Sequence, residues 1–222
     1  MRAALRHGVS ESSLHYVSTS TGDGLTTRIV GDVNRTSGTQ TIVVTGRAKG
    51  SMVIELVGHE AYFRGDATAI EVLIGLTRPE ASAAAGRWIS VVPADPAYGS
   101  TAAALTVGSV ISEITLTPPI TGGRSTVVGG RTVVQVAGTW VGDGITAQNH
   151  ATGKLEVTGD VTPLPLSFSG VVPATPQATR FVNNIAVSGW GEAVQVTPPS
   201  SSTPLALITG NAPTTTQPPT VV

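Results

Sequence analysis

Apolar and polar residues alternate over much of the chain, and the pattern is sharpest at residues 49–92. Met52, Ile54 and Leu56 alternate with Val53, Glu55 and Val57, which predicts a strand with one fully apolar face. Gly58-His59-Glu60 turns the chain, and Ala61-Tyr62-Phe63-Arg64 starts an antiparallel partner. The period then changes. Ala69, Ile70, Val72, Leu73, Ile74 and Leu76 surround a single charge, Glu71. That predicts a short helix too apolar to have one face wet. One of its sides covers the sheet, and the other needs a second partner, either another helix or an apolar ligand. After Pro79 comes a linker of small residues, and residues 87–92 return to strand.

Upstream, residues 2–13 open as a short helix with Ala3, Ala4 and Leu5 as its apolar patch. Strands are expected at 14–21, 26–33 and 40–45, separated by turns rich in Gly, Asn and Asp. Downstream, Pro93 and Pro96 break the chain. Ser100 then caps a second helix carrying Ala104, Leu105, Val107, Val110, Ile111 and Ile114. Pro118-Pro119 is a breaker. Strands resume at 132–141, with Val134, Val136 and Trp140 on one face. Gly142-Asp143-Gly144 turns, and residues 145–150 and 153–158 read as a hairpin. Pro163 and Pro165 place their missing donors on one side of a strand, which suits a sheet edge. Phe181, Asn183, Ile185 and Val187 alternate, and residues 190–197 close the domain. Past Pro199 the chain is mostly Ser, Thr, Pro and Gln, with only 205–208 apolar. Residues 1–199 are therefore expected to be one folded domain, and residues 200–222 a disordered tail.

Composition narrows the function. The net charge is −1 and charged residues are 12% of the chain, so no electrostatic case exists for nucleic acid or an acidic membrane as the main partner. Cysteine is absent, which removes disulfides, thiolate metal sites and a cysteine nucleophile. Lysine occurs only at Lys49 and Lys154, and Ala, Gly and Val are abundant, a composition that suits a GC-rich bacterial genome. No apolar run of membrane-spanning or signal-peptide length occurs. The histidines, at 7, 15, 59 and 150, show no metal-binding helical spacing. No G-x-S-x-G elbow, G-x-G-x-x-G loop or Walker A pattern is present, and Thr152-Gly153-Lys154 lacks the flanking residues of the last. The expectation is a protein that is not an enzyme and carries no cofactor or metal.

The element order is a meander, two inserted helices and a second meander. In this order stand Ser13-Leu14-His15-Tyr16, Glu60-Ala61-Tyr62, Gly86-Arg87-Trp88 and a closing stretch from Ser188-Gly189-Trp190 to Pro198. On these motifs the chain resembles the LolA-like fold, and within it the actinobacterial LppX/LprG-type envelope lipoproteins. The resemblance implies a mainly β (α+β) fold: an antiparallel half-barrel of about ten or eleven strands, with two or more helices packed on its concave face. It implies an apolar cavity between the two, a lipid or glycolipid as partner, and transient contact with a membrane or an envelope protein. It also implies placement in the cell envelope, periplasmic or extracellular, the export segment being absent. The chain departs from the family in lacking a lipobox cysteine and in its Thr/Pro-rich tail.

Periodicity alone fits a dry core as well as it fits a cavity. Under the resemblance, the cavity-lining candidates are Met52, Ile54, Leu56, Ile70, Leu73, Ile74, Leu76, Leu105, Val110, Ile111, Val134 and Val136. Tyr62 and Arg64 are the candidates for a head group at the mouth. Only 4% of residues are aromatic, which leaves few rings to fill a curved sheet. The competing reading is a sensor or interaction domain with a closed apolar core.

Overall fold

The computed structural model describes residues 1–142, 145, 150–176 and 178–210. The expected turn at Asp143 and Gly144, most of the expected strand 145–150, and residues 211–222 of the expected tail lie outside them.

Among the described residues, twelve strands form one open sheet. In chain order they are β1 (Ser13–Gly22), β2 (Leu25–Asn34), β3 (Ser37–Gly46), β4 (Gly50–Val57), β5 (Glu60–Gly65), β6 (Ile89–Val91), β7 (Leu116–Val128), β8 (Arg131–Trp140), β9 (Thr152–Thr158), β10 (Pro165–Val172), β11 (Phe181–Ser188) and β12 (Thr203–Pro204). Across the sheet the order is β12-β6-β5-β4-β3-β2-β1-β11-β10-β9-β8-β7. The two meanders meet where β1 pairs with β11, antiparallel like every pair except β12 with β6. The helices are α1 (Arg2–Ser10), α2 (Ala67–Ile74), α3 (Arg78–Ala84), α4 (Tyr98–Thr101), α5 (Val107–Glu113) and α6 (Leu205–Thr209). This is the mainly β, LolA-like half-barrel that the motifs implied, with one parallel strand at its edge.

Cross-strand partners share a face, so the register identifies the covered side. One rung runs Val187, Tyr16, Gly31, Gln40, Ile54, Phe63, Ile89. The next runs Phe168, Ile185, Ser18, Ile29, Ile42, Met52. The helices cover this face as two clusters. In one, Ala4 of α1 and Val107, Val110 and Ile111 of α5 pack with Leu14, Tyr16, Trp140, Leu155 and Phe168. In the other, Ala69 and Ile70 of α2 and Ala81 and Ala84 of α3 pack with Met52, Ile54, Leu56 and Phe63.

Local chemistry fixes where α2 lies. Asp66 caps it, accepting from Ala69 N–H at 2.9 Å, and also accepts from Ser51 N–H at 2.6 Å, which ties the helix start to β4. Gly50 permits this approach, since a Cβ there would meet Ala69 N at 2.8 Å. Gly75, with φ 79°, ends the helix in the left-handed region.

Five expectations are corrected. The small-residue linker after Pro79 is helix α3, closed by a Thr77–Glu80 capping box with Pro79 in its first turn. The second helix is two short ones, α4 and α5, because Ala104 sits at φ 53° between them. The strand after Pro163 is interior, between β9 and β11. Pro165 is its first residue and stands at a register shift, where a missing donor is tolerated. Residues 190–197 form no strand and are held by hydrogen bonds to β1 and β2, including Gly191 N–H to Ser13 O at 3.1 Å and Asn34 Nδ2 to Val194 O at 3.2 Å. Finally, packing does not stop at Pro199. Thr203–Pro204 adds to β6, and Leu205, 3% exposed, enters the second cluster. Ile208 packs against the same cluster, so the short apolar run in this polar stretch is what lies on the core.

Candidate functional site

Where the two clusters adjoin, the covered face leaves a cavity of about 280 Å³, partly open to solvent. Its floor is the pair of rungs just described: Tyr16, Gln40 and Ile54 from one, and Ile185, Ser18, Ile29 and Ile42 from the next. Leu73 and Ile74 at the end of α2 form one wall. Val110 and Glu113 of α5 and the Ala103-Ala104 turn form the other. Leu73, Ile74 and Ile29 are only half buried, so their side chains border space rather than filling core.

The polar groups on this floor are mostly spoken for. Tyr16 OH donates to Ala104 O at 3.0 Å, and Gln40 Nε2 donates to Ala103 O at 2.8 Å. Ser18 Oγ donates to Asn183 Oδ1 at 2.9 Å. Two sheet side chains thus hold the carbonyls of the α4–α5 turn. Glycines make the fit: the Tyr16 ring lies over Gly31, and the Leu105 carbonyl lies against Gly38. Burial above all, then the charges of Glu113 and Asp32, push the Tyr16 hydroxyl well above the ordinary tyrosine range; a hydrogen bond with Gln40 pulls the other way. Tyr16 therefore stays a neutral donor.

Of the residues expected to line a cavity, the structure brings together Ile54, Leu73, Ile74 and Val110. Met52, Leu56, Ile70, Leu76 and Leu105 are buried in the second cluster. Ile111 and Val136 are buried in the first, and Val134 packs against it. Ile111 also borders a separate groove between α1 and α5. Tyr62 and Arg64 pair with Glu55 and Val53, which places them on the opposite face of the sheet from the cavity. There the Arg64 guanidinium lies 5.7 Å from the Trp88 ring centroid, and burial first, then Glu60, raises the Tyr62 pKa. The alternation already carried this: once Ile54 faces inward, its partner Phe63 does too, and Tyr62 and Arg64 face out. Ser18 and Gln40 were missed because a polar residue in a strand reads as solvent-facing; Tyr16 and Asn183 stand in phase with apolar neighbours but were not taken as cavity lining.

Among the described residues, no group of three or more His, Cys, Asp or Glu is placed to hold a metal ion. No protein-family model and no curated protein matches the chain. Solved structures do. The crystal structure of the Mycobacterium tuberculosis lipoprotein LppX aligns with a TM-score of 0.51 and 15% identity, over 88% of this chain and 95% of that one. LprF from Mycobacterium bovis aligns with a TM-score of 0.53 and 14% identity, over 90% of this chain and 95% of that one. At this identity the likeness is one of fold, and that fold is the LppX/LprG-type half-barrel.

Proposed function

We propose that the protein binds the acyl part of a lipid or glycolipid in the cavity between β1–β4, β11 and the helices, and carries or presents it in a bacterial cell envelope. The observation that carries this reading is the aliphatic wall of Leu73 and Ile74, half buried and facing space at the adjoining edges of the two cores. The fold shared with a lipoprotein supports the envelope setting. Burial of methylenes supplies the binding energy, roughly 0.8 kcal/mol per CH₂.

Volume sets the ligand's size. The cavity is about 280 Å³, just under the ~300–1,000 Å³ usual for small-molecule sites. It accepts part of one chain as it stands. A larger lipid needs α2 and the α4–α5 turn to move off the sheet, with Gly75 and Gly108, around which no neighbour crowds, as the positions that yield. The same modest volume is what favours the second reading, an interaction domain with a nearly closed core.

Denaturing extraction of the purified protein followed by mass spectrometry separates the two. The carrier reading expects a stoichiometric acyl lipid, or uptake of a fluorescent fatty-acyl probe by the lipid-free protein. Neither lipid nor uptake leaves the closed-core domain.

A further inference from the structure

Three of the most exposed aliphatic side chains stand at one end of the sheet. Val127 is 72% exposed, Val128 61% and Val161 100%. The first two sit at the tip of the β7–β8 hairpin, where Gly129 and Gly130, at φ 57° and 79°, make a two-residue turn. β9 reaches only to the Thr158–Val133 pair, so residues 127–132 project beyond their neighbour. β7 is exposed from Pro118 to its end. Val161 lies in the adjoining β9–β10 turn. That turn is tied to the hairpin by Gly159 N–H to Thr132 O at 2.8 Å, and braced by Thr158 N–H to Leu164 O at 2.9 Å. Scattered surface valines need no explanation, but three on two tied turns form a feature.

Charge points the same way. From Ile114 to Gly142 the charged residues are Arg124 and Arg131, both exposed, and Asp160 is the one acid in the adjoining turn. A further strand is a poor occupant. Pro118 and Pro119 lack donors, and register shifts interrupt β7 at Thr117/Thr121 and Gly122/Arg124. A protein groove is also a poor fit, because a narrow tip offers far less than the roughly 800 Å² per partner of a stable interface. Membrane lipid needs no matched surface: valines enter the acyl region while arginines stay among anionic head groups.

We propose that this end of the sheet is a membrane-docking tip, in which Val127, Val128 and Val161 insert into a bilayer and Arg124 and Arg131 contact its anionic head groups. The proposal goes beyond the cavity reading and stands on separate residues. Its test is flotation of the full chain with vesicles of phosphatidylcholine mixed with phosphatidylglycerol, and with phosphatidylcholine alone. The protein is expected to float with the mixed vesicles and to be released by salt. Arg124→Gln and Arg131→Gln should each weaken binding about fivefold, and Val127→Ser/Val128→Ser/Val161→Ser about tenfold or more. Circular dichroism and acyl-probe uptake should be unchanged in all of them. Absence of flotation, or variants that float like the wild type, overturns the proposal. So does a dimer that the valine variants abolish, which would assign the tip to a second copy of the chain. Flotation without any probe uptake keeps the tip and sinks the cavity reading instead.

Discussion

On the β8–β11 side of the sheet, a group of contacting rings fills the space under the helices; on the β3–β6 side, aliphatic side chains and alanines pack around the fully buried ring of Phe63. Trp140 is 1% exposed, with its ring centroid 5.2 Å from that of Phe168 and 6.3 Å from that of Phe181. Its indole donates to Glu113 O at 2.8 Å, which joins the ring to α5. Glycines hold the niches: a Cβ on Gly153 would meet Phe168 at 2.8 Å, and Gly170 lies against the Trp140 ring. The other side closes over Ile54 and Met52 with Ala69, Ile70, Ala81 and Ala84, and it stops short at Leu73 and Ile74. Of the chain's few aromatics, Trp140, Phe168 and Phe181 meet on one half, and the fully buried ring of the other is Phe63. The cavity lies where that group of rings ends, with the Tyr16 ring on its floor.

The sharpest break of this contrast is Trp140→Ala. It should cost about 3–5 kcal/mol, read as a lower urea midpoint, because a ring with a satisfied donor is removed from a closed niche. Leu73→Ala, bordering space, should cost well under that range, and equal costs would erase the distinction between the halves. Leu205→Ala comes next, at about 2–5 kcal/mol, since Leu205 is 3% exposed in the second cluster. Truncation after Pro199 should lower the melting temperature in the same direction, and an unchanged melting temperature would return residues 200–210 to the status of a loose tail.

Alkaline pH offers a milder probe. The folded Tyr16 pKa lies above its unfolded value, so its hydroxyl stays protonated in the fold. Its contribution is whole below about pH 10 and is lost as pH rises beyond that, at up to about 1.4 kcal/mol per pH unit. Tyr16→Phe should flatten this loss in denaturation midpoints measured from neutral to alkaline pH, and an unaltered slope would mean that the ring is not shut in. Gln40→Leu should have the smallest effect, about 1 kcal/mol, with faster amide exchange in the turn after α4. No change in exchange would show that Gln40 does not hold that turn.

Most strands were legible because their alternation is clean and glycine turns punctuate it. The run of alanine and serine after Pro79 disguised α3 as a linker, and the Thr77–Glu80 capping box that starts it went unread. The break between α4 and α5 was not, since nothing in the composition says that Ala104 adopts a left-handed conformation. Part of the cavity was hidden for a topological reason. Gln40 looks outward-facing in isolation, and only the register that sets it against Gly31, with its hydrogen bond to Ala103, brings it inward. Leu73 and Ile74 were legible as bordering the cavity because the first helix carries more apolar surface than one sheet contact covers.

The most direct measurement is Leu73→Trp, read twice, as melting temperature and as bound lipid or acyl-probe uptake. If Leu73 borders a ligand cavity, the indole fills that space, uptake disappears and the melting temperature stays close to that of the wild type. If the region is dry core, the same ring overpacks it and destabilises the fold by about 1–3 kcal/mol. That loss, together with a wild type that never takes up lipid, would contradict the carrier account.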